Sequence, residues 1–392
     1  MDVEDAKRRM CEEIDQRAST LLAASHDIHD HPEELFGEHH AHDLLTGLLE
    51  QEGLPVERHA FGLDTAFAAE AGSEGPTIAV LLEYDALPGI GHACGHNIIA
   101  AAGLGAGLAA ASLADALGGR IRILGSPAEE GGGGKVFMIE QGALEGVDAA
   151  MMVHPADVDL QWMTTIANQQ IEVTYHGRPA HAAAAPWLGR NALDAAVLGY
   201  MNVAALRQHI RPEERLHGIF TDGGDKPNIV PARAAMHWYV RAATLETLQP
   251  LKERVLAALA AGATAAGCEM EHRWIDPPYA DLRTNGPLCG LYAANASSIG
   301  RTVAAPDADN GVVGSTDMGN VSYVVPSIHP MIAVAPKGVS IHTPEFARHA
   351  AGPAGDAAVI DGAKAMAMTV ADLWLRPEAI DATTAAFEAP ER

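Results

Sequence analysis

Thr77–Ala114 reads TIAVLLEYDALPGIGHACGHNIIAAAGLGAGLAAASLA. Its opening run, TIAVLL, is almost wholly apolar, as a strand covered on both faces requires. A polar loop with Pro88, His92, Cys94, His96 and Asn97 follows. The next stretch, Ile98–Ala114, carries no charge and ends at Asp115. It imitates a membrane span, but it is short, rich in Ala and Gly, and continuous with the polar cluster; a helix buried in a protein core is expected. Gly103 and Gly107 would let that helix lie close to a sheet. Strand, loop and buried helix together predict an α/β core.

Outward from this segment the alternation continues. Met1–Ala24 and Glu38–Glu52 have the spacing of amphipathic helices, the second closed by Gly53. Arg120–Leu124 (RIRIL) reads as a strand, followed by a glycine-rich loop and a short helix from Lys135, then a strand at Ala149–Val153 (AAMMV). The middle of the chain differs. Ile171–Tyr175, His217–Thr221, Ala234–Val240 and Glu269–Trp274 read as strands, and Asn191–Gln208 and Leu245–Ala266 as helices. Their order, βαββαβ, is ferredoxin-like. After Pro277 and Pro278 the α/β texture returns, with Met331–Ala335 (MIAVA) as a strand. The expected fold is α/β: a domain with a mixed sheet flanked by helices, built from residues 1–166 and 281–392, plus an inserted ferredoxin-like α+β domain at 167–280. The stretch beyond Pro377 reads as a loose tail.

Composition narrows the function. The 392 residues hold 26 Lys+Arg against 51 Asp+Glu, a net charge of −25. Such a chain repels phosphate backbones and anionic membranes, so neither nucleic acid nor membrane is an expected partner. Apolar residues make up 48% and are spread along the chain, which excludes disorder. Cys11, Cys94, Cys268 and Cys289 are too scattered for a disulfide framework, and MDVEDAKRRMCEEIDQ lacks the apolar core of a signal peptide. A reducing, cytoplasmic setting is expected.

Chemistry concentrates at strand ends. In GHACGHN, Cys94 and His96 are good ligands for a borderline metal such as zinc, and Gly95 lets both turn to one point; His92 is a possible third. The plain alternative is a buried cysteine with structural histidines. In SPAEEGGGGK, Glu129 and Glu130 follow RIRIL, where adjacent carboxylates can split roles, one binding metal and one taking a proton. A solvated acidic loop is the alternative. GGGGK is no phosphate loop, because Val136 follows the lysine and Glu129 stands where the leading glycine belongs. His154 closes AAMMV, and His342 follows MIAVA and its loop. Singly these histidines would be read as structural. Collectively, Cys94, His96, Glu130, His154 and His342 fall just beyond strands of one sheet and could converge on a two-metal hydrolytic site. Asp85 could orient a ligand histidine, or simply begin the turn before Pro88.

The segments EYDALPGIGHACGHN, SPAEEGGGG, MMVHP, GRPAHAAAAP, PNIVPARA, GSTDMGNVSYVVPSIHP and IHTPEF occur in order between about residues 25 and 370. Together they resemble the aminoacylase and carboxypeptidase family of metallopeptidases (peptidase family M-twenty). Within it they are most similar to the amidohydrolase subfamily with auxin-conjugate, N-acyl-amino-acid and p-aminobenzoyl-glutamate hydrolases. The resemblance implies two divalent ions (zinc, manganese or cobalt), with Cys94 bridging them and His96, Glu130, His154 and His342 as the other ligands. It implies Glu129 as general base, a small-molecule amide as substrate, and a homodimer formed through the inserted domain, which also acts as a lid. His181 matches a lid histidine that stabilises the oxyanion in a partner subunit's site, where the alternative is a loop cap. Asn228 and Arg241 match lid residues that grip the substrate carboxylate; a turn asparagine and a surface arginine are the alternatives.

There are departures. Asn97 stands where many subfamily members have Asp; the Asn form is similar to the branch with p-aminobenzoyl-glutamate hydrolases and dipeptidase-like proteins that act on β-alanyl dipeptides. Glu83 fills a slot where other branches have a metal-binding histidine. Asp317 and Asn320 are polar residues near the site without an assigned role. The expected activity is metal-dependent hydrolysis of N-acyl or N-aroyl amino acids. The alternatives are a dipeptidase for small or β-alanyl dipeptides, a noncatalytic ligand-binding homologue, and a thiol enzyme with Cys94 as nucleophile.

Overall fold

The computed structural model describes residues 1–307 and 311–389 and divides into two compact units, Met1–Thr164 with Leu282–Arg392, and Thr165–Asp281. In chain order the first unit begins with α1 (Val3–Asp30), α2 (His39–Gln51), β1 (Val56–Arg58), β2 (Phe67–Ala71), β3 (Thr77–Glu83), α3 (His96–Leu117), β4 (Arg120–Ser126), α4 (Gly134–Glu140), β5 (Ala149–Met151), β6 (His154–Ala156) and β7 (Thr164–Thr165). The second unit holds β8 (Ala167–His176), α5 (Ala192–Leu206), β9 (Arg215–Asp222), β10 (Arg233–Ala242), α6 (Leu245–Ala266) and β11 (Glu269–Tyr279). The first resumes with α7 (Gly286–Ser298), β12 (Val313–Gly314), α8 (Met318–Val321), β13 (Ser327–Ile328), β14 (Met331–Ala333), α9 (Pro344–Ala350), α10 (Pro353–Leu375) and α11 (Pro377–Glu388).

The main sheet has the order β1-β2-β4-β3-β5-β13 and is mixed: β3 runs parallel to β4 and β5, while β1, β2 and β4 pair antiparallel. Every residue of β3 is buried. Ile78, Val80 and Leu82 join one core with α3, and Ala79 and Leu81 join another with Met138, Met318 and Val321. Burial on both faces explains the continuous apolar run. On α3, a Cβ at Gly103 would lie 2.8 Å from Leu82, and one at Gly107 2.6 Å from Ile123. Only glycine allows this helix to sit so low on the sheet. Its opposite side meets Leu21 of α1 and Ala363 of α10, so the charge-free helix is satisfied by protein. Among the described residues no helix is long and apolar enough to cross a membrane. Because Glu83 and Ser126 are in register, the loops after β3 and β4 leave the sheet side by side.

The second unit is ferredoxin-like. Its sheet order is β11-β8-β10-β9, antiparallel throughout, with α5 and α6 packed over a core that includes Tyr175, Trp238 and Leu259. β9 is an edge strand.

Three expectations need correction. AAMMV does not run on as one strand to His154: β5 stops at Met151, and His154 opens β6. β6 pairs with β14, which is the MIAVA segment, in a separate two-stranded sheet. The ligand candidates therefore do not all lie beyond strands of one sheet. The stretch after Pro377 is a helix, α11, not a tail. Ala379 and Thr383 are its buried face, and Asn285 Nδ2 donates to Thr383 O at 2.8 Å. So small a buried face leaves little hydrophobic signal for periodicity to detect.

Candidate metal centre

Gly95, at φ 77°, is the N-cap of α3 and allows the sharp turn between Cys94 and His96. A Cβ there would lie 2.8 Å from Pro155, so glycine also admits the His154 segment against this loop. Two donor trios share Cys94, and a third joins Glu83, His96 and Glu129. In one of the first two, single ligand atoms of Cys94, His96 and His154 lie within 4.8 Å of one another; in the other, those of Cys94, Glu130 and His342 do. Cys94 belongs to both. Its Sγ is 3.4 Å from His154 Nε2, and Glu130 Oε1 is 3.5 Å from His342 Nε2.

The neighbouring groups select lone pairs on the histidines. His96 Nδ1 bonds Asp85 Oδ1 at 2.8 Å, and His154 Nδ1 donates to Pro155 O at 2.7 Å. Each leaves Nε2 as the acceptor-type nitrogen, the form that binds a metal. Asp85 Oδ2 also accepts from Glu130 N at 2.9 Å, so one carboxylate orients both a histidine and the acidic loop. His96 Nε2 and Glu130 Oε1 are buried and make no hydrogen bond among the described residues. Buried polar atoms left so need a partner, and a thiol, imidazoles and a carboxylate at these separations suit a borderline divalent cation. Burial pushes the Cys94 thiol up and His154 down to about 4. A cation would reverse the first effect by stabilising the thiolate. The donor set fits two ions.

Glu129 is buried beside these groups, its Oε2 3.9 Å from His96 Nε2. Burial first, then Glu83, Glu130 and Asp317, holds its carboxyl well above the usual range. The loop is set by Ala128, at φ 59°, a strained conformation for a non-glycine residue. His342 shares that strain at φ 63°, and its N–H donates to Ala93 O at 2.8 Å. Backbone strain of this kind collects where a side chain must be aimed.

Lys135, Glu38 and His329 take places here that no spacing in the sequence assigns. Lys135, which follows four glycines without completing a phosphate loop, is 1% exposed; its Nζ lies 2.5 Å from Glu83 Oε1 and 2.7 Å from Asp317 Oδ1. Glu83 Oε2 is 3.7 Å from His96 Nε2, so Glu83 and Asp317 join the centre's surroundings through one lysine. Glu38 is a buried carboxylate that accepts from Ala128 N, Phe36 N and Thr65 Oγ1, anchoring the approach to Glu129. His329 is buried, its ring centroid 5.0 Å from that of His154. A lone Lys, Glu or His has no spacing that signals such roles. Asn97 points away from the centre: its Nδ2 donates to Ser25 Oγ and Ala350 O, joining α3 to α1 and α9. His92 is buried and belongs to none of these trios.

In the second unit, His181 and Asn228 are neighbours, with Ala182 N donating to Asn228 O at 3.0 Å. His181 is exposed, and its Nδ1 accepts from Ala183 N and Ala184 N, which leaves the proton on Nε2 as a donor. Arg241 is not with them. It lies eight residues beyond Arg233 on β10, roughly 27 Å along the strand. Its ring neighbour is Tyr239, with the guanidinium carbon 5.2 Å from the centroid.

Residues 76–371 match the family model described as Peptidase family M20/M25/M40. The chain is 39% identical over 403 residues to Xaa-Arg dipeptidase of Mus musculus, covering 99% of this chain and 93% of that one. It is 37% identical over 272 residues to a subunit of the p-aminobenzoyl-glutamate hydrolase of Escherichia coli, covering 64% of this chain and 56% of that one. A dinuclear metal-binding peptidase of the M20 family from Bacillus subtilis superposes with a TM-score of 0.69 at 20% identity, over 91% of this chain and 98% of that one, a likeness of fold.

Proposed function

This chain belongs to peptidase family M20/M25/M40 and is a hydrolase acting on amide bonds; from that premise we propose that it cleaves small dipeptides, with Glu129 as general base. The observation that carries the mechanism is the pair of donor trios sharing Cys94, with Glu129 beside them. Cys94, His96, Glu130, His154 and His342 would hold two divalent ions such as zinc, manganese or cobalt, and Asp85 would keep His96 and the Glu130 loop in place. Bound ions supply polarisation of the scissile carbonyl and charge for the developing oxyanion. Glu129 takes a proton from the attacking water as its oxygen bonds the carbonyl carbon. When the C–N bond breaks, Glu129 returns that proton to the leaving nitrogen, giving a carboxylate and an amine. His181 Nε2–H donates to the oxyanion and its neighbour Asn228 holds the substrate carboxylate, whereas Arg241, at the far end of β10, is not placed to share that grip within one chain.

The near-full-length similarity to an Xaa-Arg dipeptidase favours dipeptides with a basic C-terminal residue. A net charge of −25 would also steer cationic substrates inward. Hydrolysis of N-aroyl or N-acyl amino acids is the second reading, supported by the shorter match to the p-aminobenzoyl-glutamate hydrolase. Side-by-side kcat/KM values should favour Xaa-Arg dipeptides over p-aminobenzoyl-glutamate by at least about tenfold, or about 1.4 kcal/mol. The reverse order would make the second reading the correct one. Chelation should abolish both activities; turnover that survives it would instead point to Cys94 as a nucleophile. The four cysteines, all free, fit a reducing, cytoplasmic setting.

A homodimer through the second unit completes the proposal. On α5, Met201 is 58% exposed and Val197 44%; on the edge strand β9, Ile219 is 63% exposed. An apolar helix face beside an unpaired edge suits a second copy of the same surface. Met201→Glu with Ile219→Lys should yield monomers in analytical ultracentrifugation. If His181 acts across the dimer, mixed dimers of His181→Ala and Glu129→Gln chains should regain activity that neither parent has. Confirmed mixed dimers without recovery would argue for His181 acting within its own chain.

A further inference from the structure

Outside the centre, one stretch is dense in histidine: His26, His29, His31, His39, His40 and His42 fall within seventeen consecutive residues. Two of them converge with a carboxylate. Asp27 and His31 lie four residues apart, where the C-terminal end of α1 gives way to its cap, and so share a face. His40 comes from the first turn of α2. Asp27 Oδ1 is 2.8 Å from His31 Nδ1 and 3.0 Å from His40 Nε2; His31 Nδ1 also lies 2.9 Å from the Asp27 carbonyl oxygen, and single ligand atoms of all three residues lie within 4.8 Å of one another. The two imidazole rings are 4.4 Å apart between centroids. The backbone that presents them is tied down. Glu33 accepts from His40 N at 2.9 Å and Ala41 N at 3.1 Å, and its own carbonyl accepts from Ala86 N. His31 N is bonded to Asp27 O and Ile28 O.

We propose that Asp27, His31 and His40 form a third metal site, facing solvent, for a borderline divalent cation such as zinc, nickel or copper(II). Two imidazole nitrogens and one carboxylate oxygen suit that class better than magnesium or calcium, which take oxygen ligands. Three protein ligands leave the remaining position to water, and binding takes the two imidazoles in their neutral form and Asp27 as the carboxylate. Side-chain exposures of 58% for His31, 40% for His40 and 38% for Asp27 make the site exchangeable. It is separate from the centre around Cys94 and does not depend on the activity proposed there. Its position does give it reach: the loop it would clamp carries the bonds from Glu33 to Ala86 and from Glu38 to Ala128.

The test is zinc binding by the full chain, measured by elemental mass spectrometry after equilibrium dialysis across a range of buffered free zinc. It is made in the Cys94→Ser/His342→Ala background, so that the buried centre does not dominate. About one ion per chain is expected there, with affinity falling at least tenfold on adding His31→Gln/His40→Gln. Asp27→Asn, which keeps the shape but removes the anionic ligand, should also weaken binding and guards against a folding defect in the double variant. Circular dichroism in chelator should be the same for all of them. Equal zinc occupancy with and without these substitutions would overturn the proposal, as would no binding in the background chain at zinc concentrations that saturate free imidazole–carboxylate chelates.

Discussion

Glu129→Gln is expected to lower kcat by about 10²–10⁴-fold, the share that a general base contributes, while leaving metal content and the unfolding midpoint unchanged. Glutamine matches glutamate in shape, so packing in this buried loop is preserved, and only the ability to take a proton is lost. The environment argues for this residue over its neighbour. Glu130 makes an ion pair with His342 and shares a donor trio with Cys94, whereas the trio that contains Glu129 is formed with Glu83 and His96; His342 and His96, against the opposing effect of burial, hold the Glu130 carboxyl below the usual range. Glu129 is pushed the opposite way by burial and by Glu83, Glu130 and Asp317. Of two adjacent carboxylates, the one with higher proton affinity serves better as base and the one held ionised serves better as ligand. The paired measurement is elemental analysis with steady-state kinetics on Glu129→Gln and Glu130→Gln. Glu130→Gln should lose metal. A Glu129→Gln enzyme that turns over at near wild-type rate with metal bound would end the assignment.

Lys135→Met is expected to destabilise the first unit by about 3–5 kcal/mol, the cost of removing one partner from a buried ion pair. Lys135 sits between two carboxylates that are themselves fully buried, Glu83 and Asp317. Burial drives Asp317 up to about 6, and Asp317 and Glu83 together raise Lys135 against its own burial. Methionine fills a similar volume but leaves the two acids without a counter-charge next to His96. Denaturant unfolding should show the loss. The triple variant Glu83→Gln/Lys135→Met/Asp317→Asn should recover much of it, since neutral polar groups of the same shape remove the uncompensated charge. An unchanged midpoint for Lys135→Met would mean that the lysine is not what keeps these acids buried.

Local pattern was enough for much of this molecule. TIAVLL is apolar at consecutive positions because β3 has a core on each face. Leu245–Ala266 forms a helix over the bounds read from its sequence, and the fold adds a Thr244 cap and a closing Gly267. The order βαββαβ follows from periods of 2 and 3.6 that lie within a few residues. The loop GHACGHN announced a bent turn with soft ligands before any partner was visible. Such features are written in neighbouring residues, because strand alternation, helix spacing and glycine turns act over one or two turns of chain.

What the tertiary structure alone decided depends on residues far apart in sequence. Lys135 meets Asp317 across 182 positions, and Cys94 meets His154 across 60. No local period encodes either meeting. The strand break that puts His154 at the head of β6, the docking of α11 on α7 and the turning of Asn97 toward Ser25 are likewise settled by what packs against each segment. Arg241 and His181 lie on the same unit, yet the length of β10 separates them, because a strand rises by a constant amount per residue whatever its sequence. The sequence determined which residues are capable of the chemistry and which local turns could present them. Only the fold determined which of them share one buried space, because burial changes the cost of every charge and can be read only from the neighbours that exclude water.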